Sequence, residues 1–411
     1  MSRQKLMPVE EALARVVASV PGPLDEERVA LAEAFGRTLA RDVVAHRVQP
    51  PFVSSAMDGY ALAAVDAARA PARLTVVGEA AAGRPLARRL ERGEAARIFT
   101  GAPLPEGADA VAMQEIAERD GAAVIIAAPV KPGDHVRRRG LDFDDGELLL
   151  PAGRRLTARD VALAAAADHP TLAARRKPRV AILSSGDVLA PPGAARGPAQ
   201  IVASNALAVA GVVAAAGGEP IDLGVAPDDP AAIAERLAEA RRLQADALTT
   251  IGGASVGDHD LVRQALADAG MALDFWRIAM RPGKPLIHGR LGAICVLGLP
   301  GNPTSTLVCA ALFLRPLVRA LLGDPAAGAD PSEPARLAAA LPAVGERKDF
   351  LRATLATESD GALLATPIAD QDSSLAKALA RADALLVREP GAPPAAAGAP
   401  CRIIRLAQLG A

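Results

Sequence analysis

Between Lys177 and Leu321, short apolar runs alternate with stretches of helical period, and this alternation leaves few folds open. The runs fall at 179–183, 220–223, 247–251, 275–279 and 293–297; the helical stretches fall at 203–216, 230–243, 259–269 and 303–321. Strands that are apolar throughout, rather than at every second residue, are covered on both faces. Strand–helix alternation of this kind predicts a doubly wound, mostly parallel sheet. Ligands of such sheets bind at the carboxyl ends of the strands, on the loops that follow.

At 411 residues the chain is too long for one core, so this sheet accounts for only part of it. Residues 8–20 and 24–40 carry helix-period apolar positions, split by Pro21-Gly22-Pro23. From about 48 to 140 the chain is rich in Gly and Pro, with β-like runs at 74–77, 96–99, 110–113 and 123–126. Helical texture returns over 148–167, where Thr157 and Asp160 have capping-box spacing. The tail has strand-like runs such as 384–387 and 401–404. The expected fold is an α/β multidomain chain: a helical/extended domain of 1–47 plus 141–176, an inserted β-rich module of 48–140, the α/β domain of 177–325, and a C-terminal β domain of 326–411.

The net charge of -1, with both signs interspersed, argues against a nucleic-acid surface or a polybasic membrane anchor. The start, MSRQKLMPVEEALARVV, is amphipathic with acidic residues, unlike a signal peptide. The apolar run from Thr306 to Leu314 is too short to span a bilayer. Cys295, Cys309 and Cys401 have neither metal-ligand nor redox spacing and read as buried thiols of a reducing compartment. A cytoplasmic protein with no nucleic-acid and no membrane partner is expected.

The loops around the expected strands concentrate the polar chemistry. They read SSGDVL from Ser184, GGASVGDHD from Gly252, MRPGKP from Met280 and GLPGNPTS from Gly298. Glycines such as Gly252, Gly253, Gly257, Gly283 and Gly301 let a backbone approach a phosphate and present N–H donors. Asn302 with Pro303 suits the start of a helix, which favours anions. No Walker-type loop and no Gly-x-Gly-x-x-Gly after a strand occurs, so any phosphate site is of another kind. Arg281 and Lys284 flank a stiff Pro-Gly pair and suit a tetrahedral oxyanion, or are simply solvated. Asp187, Asp228, Asp258 and Asp260 follow strands; carboxylates beside phosphates hold Mg²⁺, although Asp258 could equally cap a helix. His259 and His288 are lone histidines and read as structural. By composition alone, Asp58-Gly59 reads as a hairpin turn as readily as a site, and Arg137-Arg138-Arg139 as a solvated run.

Taken together, PPFVSSAMDGYAL, TGAPLPEGADAVAMQE, VRRRGLDF, SSGDVLAPPG, GGASVGDHD, RPGKP and GLPGNPTST resemble the molybdopterin molybdotransferases of the MoeA type, related to the C-terminal part of gephyrin. ERKDFLRATL and DQDSSLAKALARADALLV resemble that family's last domain. The resemblance implies a four-domain, elongated homodimer, with 1–47 plus 141–176 as dimerisation domain and a MogA-like substrate-binding domain at 177–325. It implies that adenylated molybdopterin and molybdate react, with Mg²⁺, to give molybdenum cofactor and AMP. The adenylyltransferase and molybdoenzyme acceptors are the further partners it suggests.

By position, the resemblance marks Asp58, Thr100, Arg137, Asp142, Asp187, Asp228, Asp260 and Lys284 as catalytic, with Asp228 and Asp260 on the metal. It marks Gly252, Gly253, Ser255, Gly257, Arg281, Gly283, Pro300, Gly301, Asn302, Pro303, Ser305, Arg347 and Ser373 as binding residues. Lys284, Ser305, Arg347 and Ser373 fall at the oxyanion end. This chain departs from the pattern at Val188 and Leu141, where the family has acids, and at Ala203, where it has Asp. Two alternatives stay open: an adenylyltransferase acting on molybdopterin itself, which some of the loops alone resemble, and a catalytically weakened cofactor-binding or scaffold relative.

Overall fold

The computed structural model describes residues 6–253 and 261–411. Its central sheet has the strand order Glu219–Ala226, Arg179–Ser185, Ala247–Ile251, Ile294–Leu299, Pro285–Leu291, Ala272–Arg277. The first four are mutually parallel, and Pro285–Leu291 runs antiparallel to both its neighbours. Every residue of Ala247–Ile251 and Ile294–Leu299 is buried, Thr249 and Thr250 included, which explains why neither run alternates with charged residues. Alternate residues feed two cores. Val180 and Ile182 pack with helices Asn205–Ala216 and Pro303–Cys309; Ala181 and Leu183 pack with helices Pro230–Arg242 and Leu261–Asp268.

The sequence reading placed a strand at 275–279 and a loop from 280 to 285. In the structure the edge strand is Ala272–Arg277, and Pro285–Leu291 is an additional strand. Its His-Gly-Arg centre hides it from hydropathy. His288 is only 1% exposed: its Nδ1–H donates to the Val296 carbonyl at 3.1 Å and its ring lies 5.3 Å from that of Phe275. Gly289 is required because a Cβ there would lie 2.4 Å from the Ala272 carbonyl oxygen.

The helical run 303–321 is continuous but changes pitch, with a π-helical turn at Ala310–Leu314 just ahead of Pro316. Proline lacks the N–H for the normal ladder, and a widened turn accommodates the loss. Among the described residues this is the helix long and apolar enough to cross a membrane by length and composition; 72% of it is buried inside the protein, as befits a core helix.

At the N-terminus, helix Val9–Ala18 packs on the same core. The helix expected over 24–40 does not form. Strand Glu26–Ala30 pairs there with Thr171–Arg175, followed by a 3-10 turn at Leu31–Glu33. Strand pairing and the burial of Val29 override the helix propensity of the Glu- and Ala-rich stretch. Helix Ala158–Ala166 does form, and the Thr157 N–H donates to the Asp160 carboxylate at 2.8 Å. Strands Val43–Val44 and Leu148–Leu150 pair where the chain leaves this unit and re-enters it. Between them lies a six-stranded mixed sheet: Ala110–Met113, Gly59–Leu62, Glu94–Ile98, Ala72–Ala80, Ala123–Ile126, Ala117–Asp120.

The C-terminal sheet runs Met280–Arg281, Lys348–Thr357, Leu363–Pro367, Glu333–Leu337, Pro400–Arg405, Ala384–Arg388, and the last strand pairs back on Lys348–Thr357 to close a barrel. The barrel thus annexes Met280 and Arg281, at the head of the central domain's Arg281–Lys284 loop.

Candidate functional site

The carboxyl rim of the central sheet is built from loops that brace one another. Strand Arg179–Ser185 runs into Asp187, and strand Glu219–Ala226 into Asp228. The Asp187 N–H donates to the Asp228 carboxylate at 3.3 Å, and the Asp228 N–H donates to the Asp187 carboxylate at 3.1 Å. The Ser185 hydroxyl also donates to Asp228, at 3.3 Å. Two carboxylates 41 residues apart are therefore set side by side, each with lone pairs left over. Beside them opens a cavity of about 540 Å³ with apolar walls from Leu189, Pro191, Ala203 and Leu207, and with Asp187 and Asp222 on its lining.

Two further loops close on this pair through glycine. Gly252 has φ +90° and a Cβ there would sit 2.8 Å from the Ser185 carbonyl oxygen; Gly253 has φ +64° and would meet Val262 at 2.3 Å. Only glycine fits either position. Gly301 lies against Gly252, within 3.6 Å of its Cα as seen from an added Cβ. Ser255, Gly257 and Asp260, with Asp258 and His259, lie outside the described residues.

The turn Pro300-Gly301-Asn302 leads into helix Pro303–Cys309, with proline at its first turn. Asn302 does not cap the helix with its side chain; its amide donates to the Ser373 hydroxyl at 2.8 Å, and the Thr304 N–H donates to the Ser373 carbonyl at 3.0 Å. Ser305 is buried behind this turn. Asn205, not singled out from sequence as a site residue, donates to the Gly301 carbonyl at 2.7 Å and to the Thr306 hydroxyl at 3.2 Å.

The Arg281–Lys284 loop is held from two sides. Arg281 pairs with Asp349 of the barrel at 2.5 Å, and Gly283, at φ +109°, packs so closely on Cys309 that a Cβ would lie 2.5 Å from its sulfur. Lys284 is half-buried beside it. Arg347 is also half-buried, but the barrel arginine that reaches the Pro303 helix is Arg352. Arg352 is 1% exposed and donates to the Thr304 hydroxyl (3.2 Å), the Asp370 carbonyl (3.2 Å) and the Gln371 side-chain oxygen (3.3 Å). The sequence signal for it was an arginine inside the strand-like FLRATL run.

The remaining expected residues form a second group on the inserted sheet. The Thr100 N–H and hydroxyl both donate to the Asp58 carboxylate at 2.8 Å. These bonds, the backbone one first, hold the Asp58 carboxyl below its ordinary range. Gly59 is fixed by close approach, since a Cβ would fall 1.9 Å from the Ala112 carbonyl oxygen. Strand Val136–Arg137 pairs with Ser54–Ser55, and the Asp142 N–H donates to the Gln49 carbonyl at 3.0 Å. PPFVSS and VRRRGLDF therefore lie side by side, with Arg137 and Asp142 exposed. Among the described residues, no hydrogen bond or ion pair joins this group to the rim of the central sheet.

Among the described residues no three His, Cys, Asp or Glu side chains gather as a metal site. The Asp187–Asp228 pair still fits Mg²⁺, which binds through one or two carboxylates and completes its shell with water and substrate phosphates. Cys295 and Cys309 are buried thiols pushed upward by desolvation, unsuited to attack.

Family comparisons match the chain in three consecutive pieces: the MoeA N-terminal region (domain I and II) over residues 7–167, a probable molybdopterin binding domain over 181–320, and the MoeA C-terminal region (domain IV) over 334–406. The molybdopterin molybdenumtransferase of Haemophilus influenzae is 33% identical, over 93% of this chain and 95% of its own. That of a Nostoc species is 41% identical, over 75% of this chain and 72% of its own. Among solved structures, a molybdopterin biosynthesis MoeA protein from Pyrococcus horikoshii superposes with a TM-score of 0.83 at 29% identity, covering 97% of this chain and 99% of that one.

Proposed function

The chain belongs to the MoeA family of molybdopterin molybdenumtransferases, enzymes of molybdenum insertion in cofactor biosynthesis, and from that premise we propose that it joins molybdate to adenylated molybdopterin and releases AMP, with Mg²⁺. The observation that carries the finer reading is the reciprocal bonding of Asp187 and Asp228 beside the rim cavity. It places acidic oxygen ligands next to a ring-sized apolar space, as an anionic, phosphate-bearing heterocycle with a divalent cation requires.

The substrates are all anions, and bringing two unit charges to about 4 Å costs roughly 4 kcal/mol at a surface-like dielectric unless opposite charge offsets it. The protein offers three offsets. The tight glycine backbone of Gly252, Gly253 and Gly301 and the start of helix Pro303–Cys309 line the rim for the anhydride. Lys284 and Arg281 stand on a loop pinned between the barrel and Cys309, where they would hold molybdate. Mg²⁺ on Asp228, with Asp187 as neighbour, would neutralise charge on the phosphate. Holding the reactants together in this rim supplies much of the remaining acceleration.

A single-turnover assay with adenylated molybdopterin, molybdate and Mg²⁺ tests the reading. One AMP and one molybdenum cofactor per site are expected, with the molybdate requirement of Lys284→Ala raised by about tenfold. Formation of adenylated product from molybdopterin and ATP, with no AMP release from the adenylated substrate, would point to the adenylyltransferase instead.

A further inference from the structure

Arg97 stands beside the turn that carries Asp58. It lies on strand Glu94–Ile98 directly opposite Tyr60, the only tyrosine of the chain. Its guanidinium carbon stands 5.3 Å from the centroid of the Tyr60 ring and 4.9 Å from that of Phe99. Both distances are within cation–π range, and Tyr60 is buried, so two aromatic rings fix the guanidinium. One terminal nitrogen donates to the Gln114 side-chain oxygen at 2.9 Å; the other makes a long, 3.4 Å contact with the Gly59 carbonyl. Gln114 in turn donates its backbone N–H to the Asp58 carbonyl at 3.0 Å.

The guanidinium is therefore tied to both carbonyls that follow the Asp58 side chain, one directly and one through Gln114. The carboxylate itself is taken by Thr100, three residues beyond Arg97 on the same stretch of chain. One segment, 97–100, thus supplies the charge, an aromatic wall and the carboxylate's donors. Among the described residues Arg97 has no carboxylate ion-pair partner, so its charge is not spent on a surface pair. Its field adds a small push, after the Thr100 bonds, toward the ionised form of Asp58.

We propose that Arg97 is a positioning residue for the reaction, acting through Asp58: it locks the turn that carries the Asp58 carboxylate. This rests on the reading that Asp58 serves the reaction. A structural role alone would make loss of Arg97 lower stability without regard to Asp58. A positioning role makes the two losses overlap.

The test is a double-mutant cycle of Arg97→Met and Asp58→Asn, read by single-turnover AMP release, with thermal unfolding recorded for each variant. Asp58→Asn is expected to slow the reaction, Arg97→Met to slow it by about tenfold at saturating molybdate, and the double variant to be no slower than Asp58→Asn alone. Gln114→Leu, which cuts only the relay to the Asp58 carbonyl from an exposed side chain, serves if Arg97→Met does not fold; it is expected to be slower than wild type and to show the same overlap. Losses that multiply in the double variant, or an Asp58-sensitive enzyme indifferent to both Arg97→Met and Gln114→Leu, overturn the proposal. An Asp58→Asn enzyme with the wild-type rate removes the reading of Asp58 itself, and the proposal with it.

Discussion

Arg352 is a buried cation whose hydrogen-bond partners are all neutral. Such a group is tolerated only where many acceptors converge on it. Here they come from the helix carrying Thr304 and from the 370–375 loop carrying Ser373, so one side chain joins the barrel to the rim of the central sheet. Arg352→Met leaves those acceptors unpaired and is expected to destabilise the protein on the order of 3 kcal/mol by urea unfolding. Arg347→Ala, at a half-buried position outside this network, is expected to change stability by less than about 0.5 kcal/mol. The resemblance marked Arg347 for the oxyanion end, whereas Arg352, set among apolar residues of its strand, carried no such mark. Phe350 and Arg352 occupy one face of the strand by its period of two, and Phe350 packs into the core of the central sheet, which is why an arginine on that face can reach Thr304.

At the scale of the element, Pro285–Leu291 shows how a strand escapes notice and what that costs. Its His288 is buried against Phe275, and desolvation, the largest influence, pushes the imidazole below its ordinary value; Val296 and Asp274 only partly oppose this. The unfolded chain binds a proton near the ordinary pKa of about 6.5, while the folded chain resists it until lower pH. Between those two pH values the unfolded state carries more protons, so stability falls as pH drops below about 6.5, with a slope of at most about 1.4 kcal/mol per pH unit from this group. Urea titrations between pH 5 and 7.5 are expected to show that slope, and His288→Leu is expected to remove its share whatever it does to absolute stability. An unchanged slope in the variant would mean that His288 is solvated. Elements with one strong signal, such as Ala247–Ile251 or the capped helix Ala158–Ala166, were legible from sequence. Glu26–Ala30 was not, because pairing across 141 residues or more leaves no local trace; Pro285–Leu291, which pairs with its near neighbours in the chain, was hidden by its His-Gly-Arg centre.

At the scale of the whole molecule, the expected site residues divide in two. Sequence motifs picked out the loops expected to carry chemistry but not which of them meet. The Asp187–Asp228 pair, the glycine turns, Lys284 and Ser373 gather around the central rim, while Asp58, Thr100, Arg137 and Asp142 cluster on the inserted sheet. No bond between described residues of one chain links the two groups. If both serve one reaction, a second copy of the chain could supply the Asp58 group, as the homodimer that the resemblance implies would allow. In a two-fold dimer each site would then take its rim from one subunit and its Asp58 group from the other. Asp58→Asn and Asp228→Asn enzymes, each strongly slowed alone, make this measurable. Co-expressed in equal amounts, they form mixed dimers in which one of the two sites inherits both lesions and the other neither. Random pairing makes half the dimers mixed, so activity is expected to return to about a quarter of the wild-type rate. If both groups instead act within one chain, every site in every dimer holds one lesion, and co-expression restores nothing.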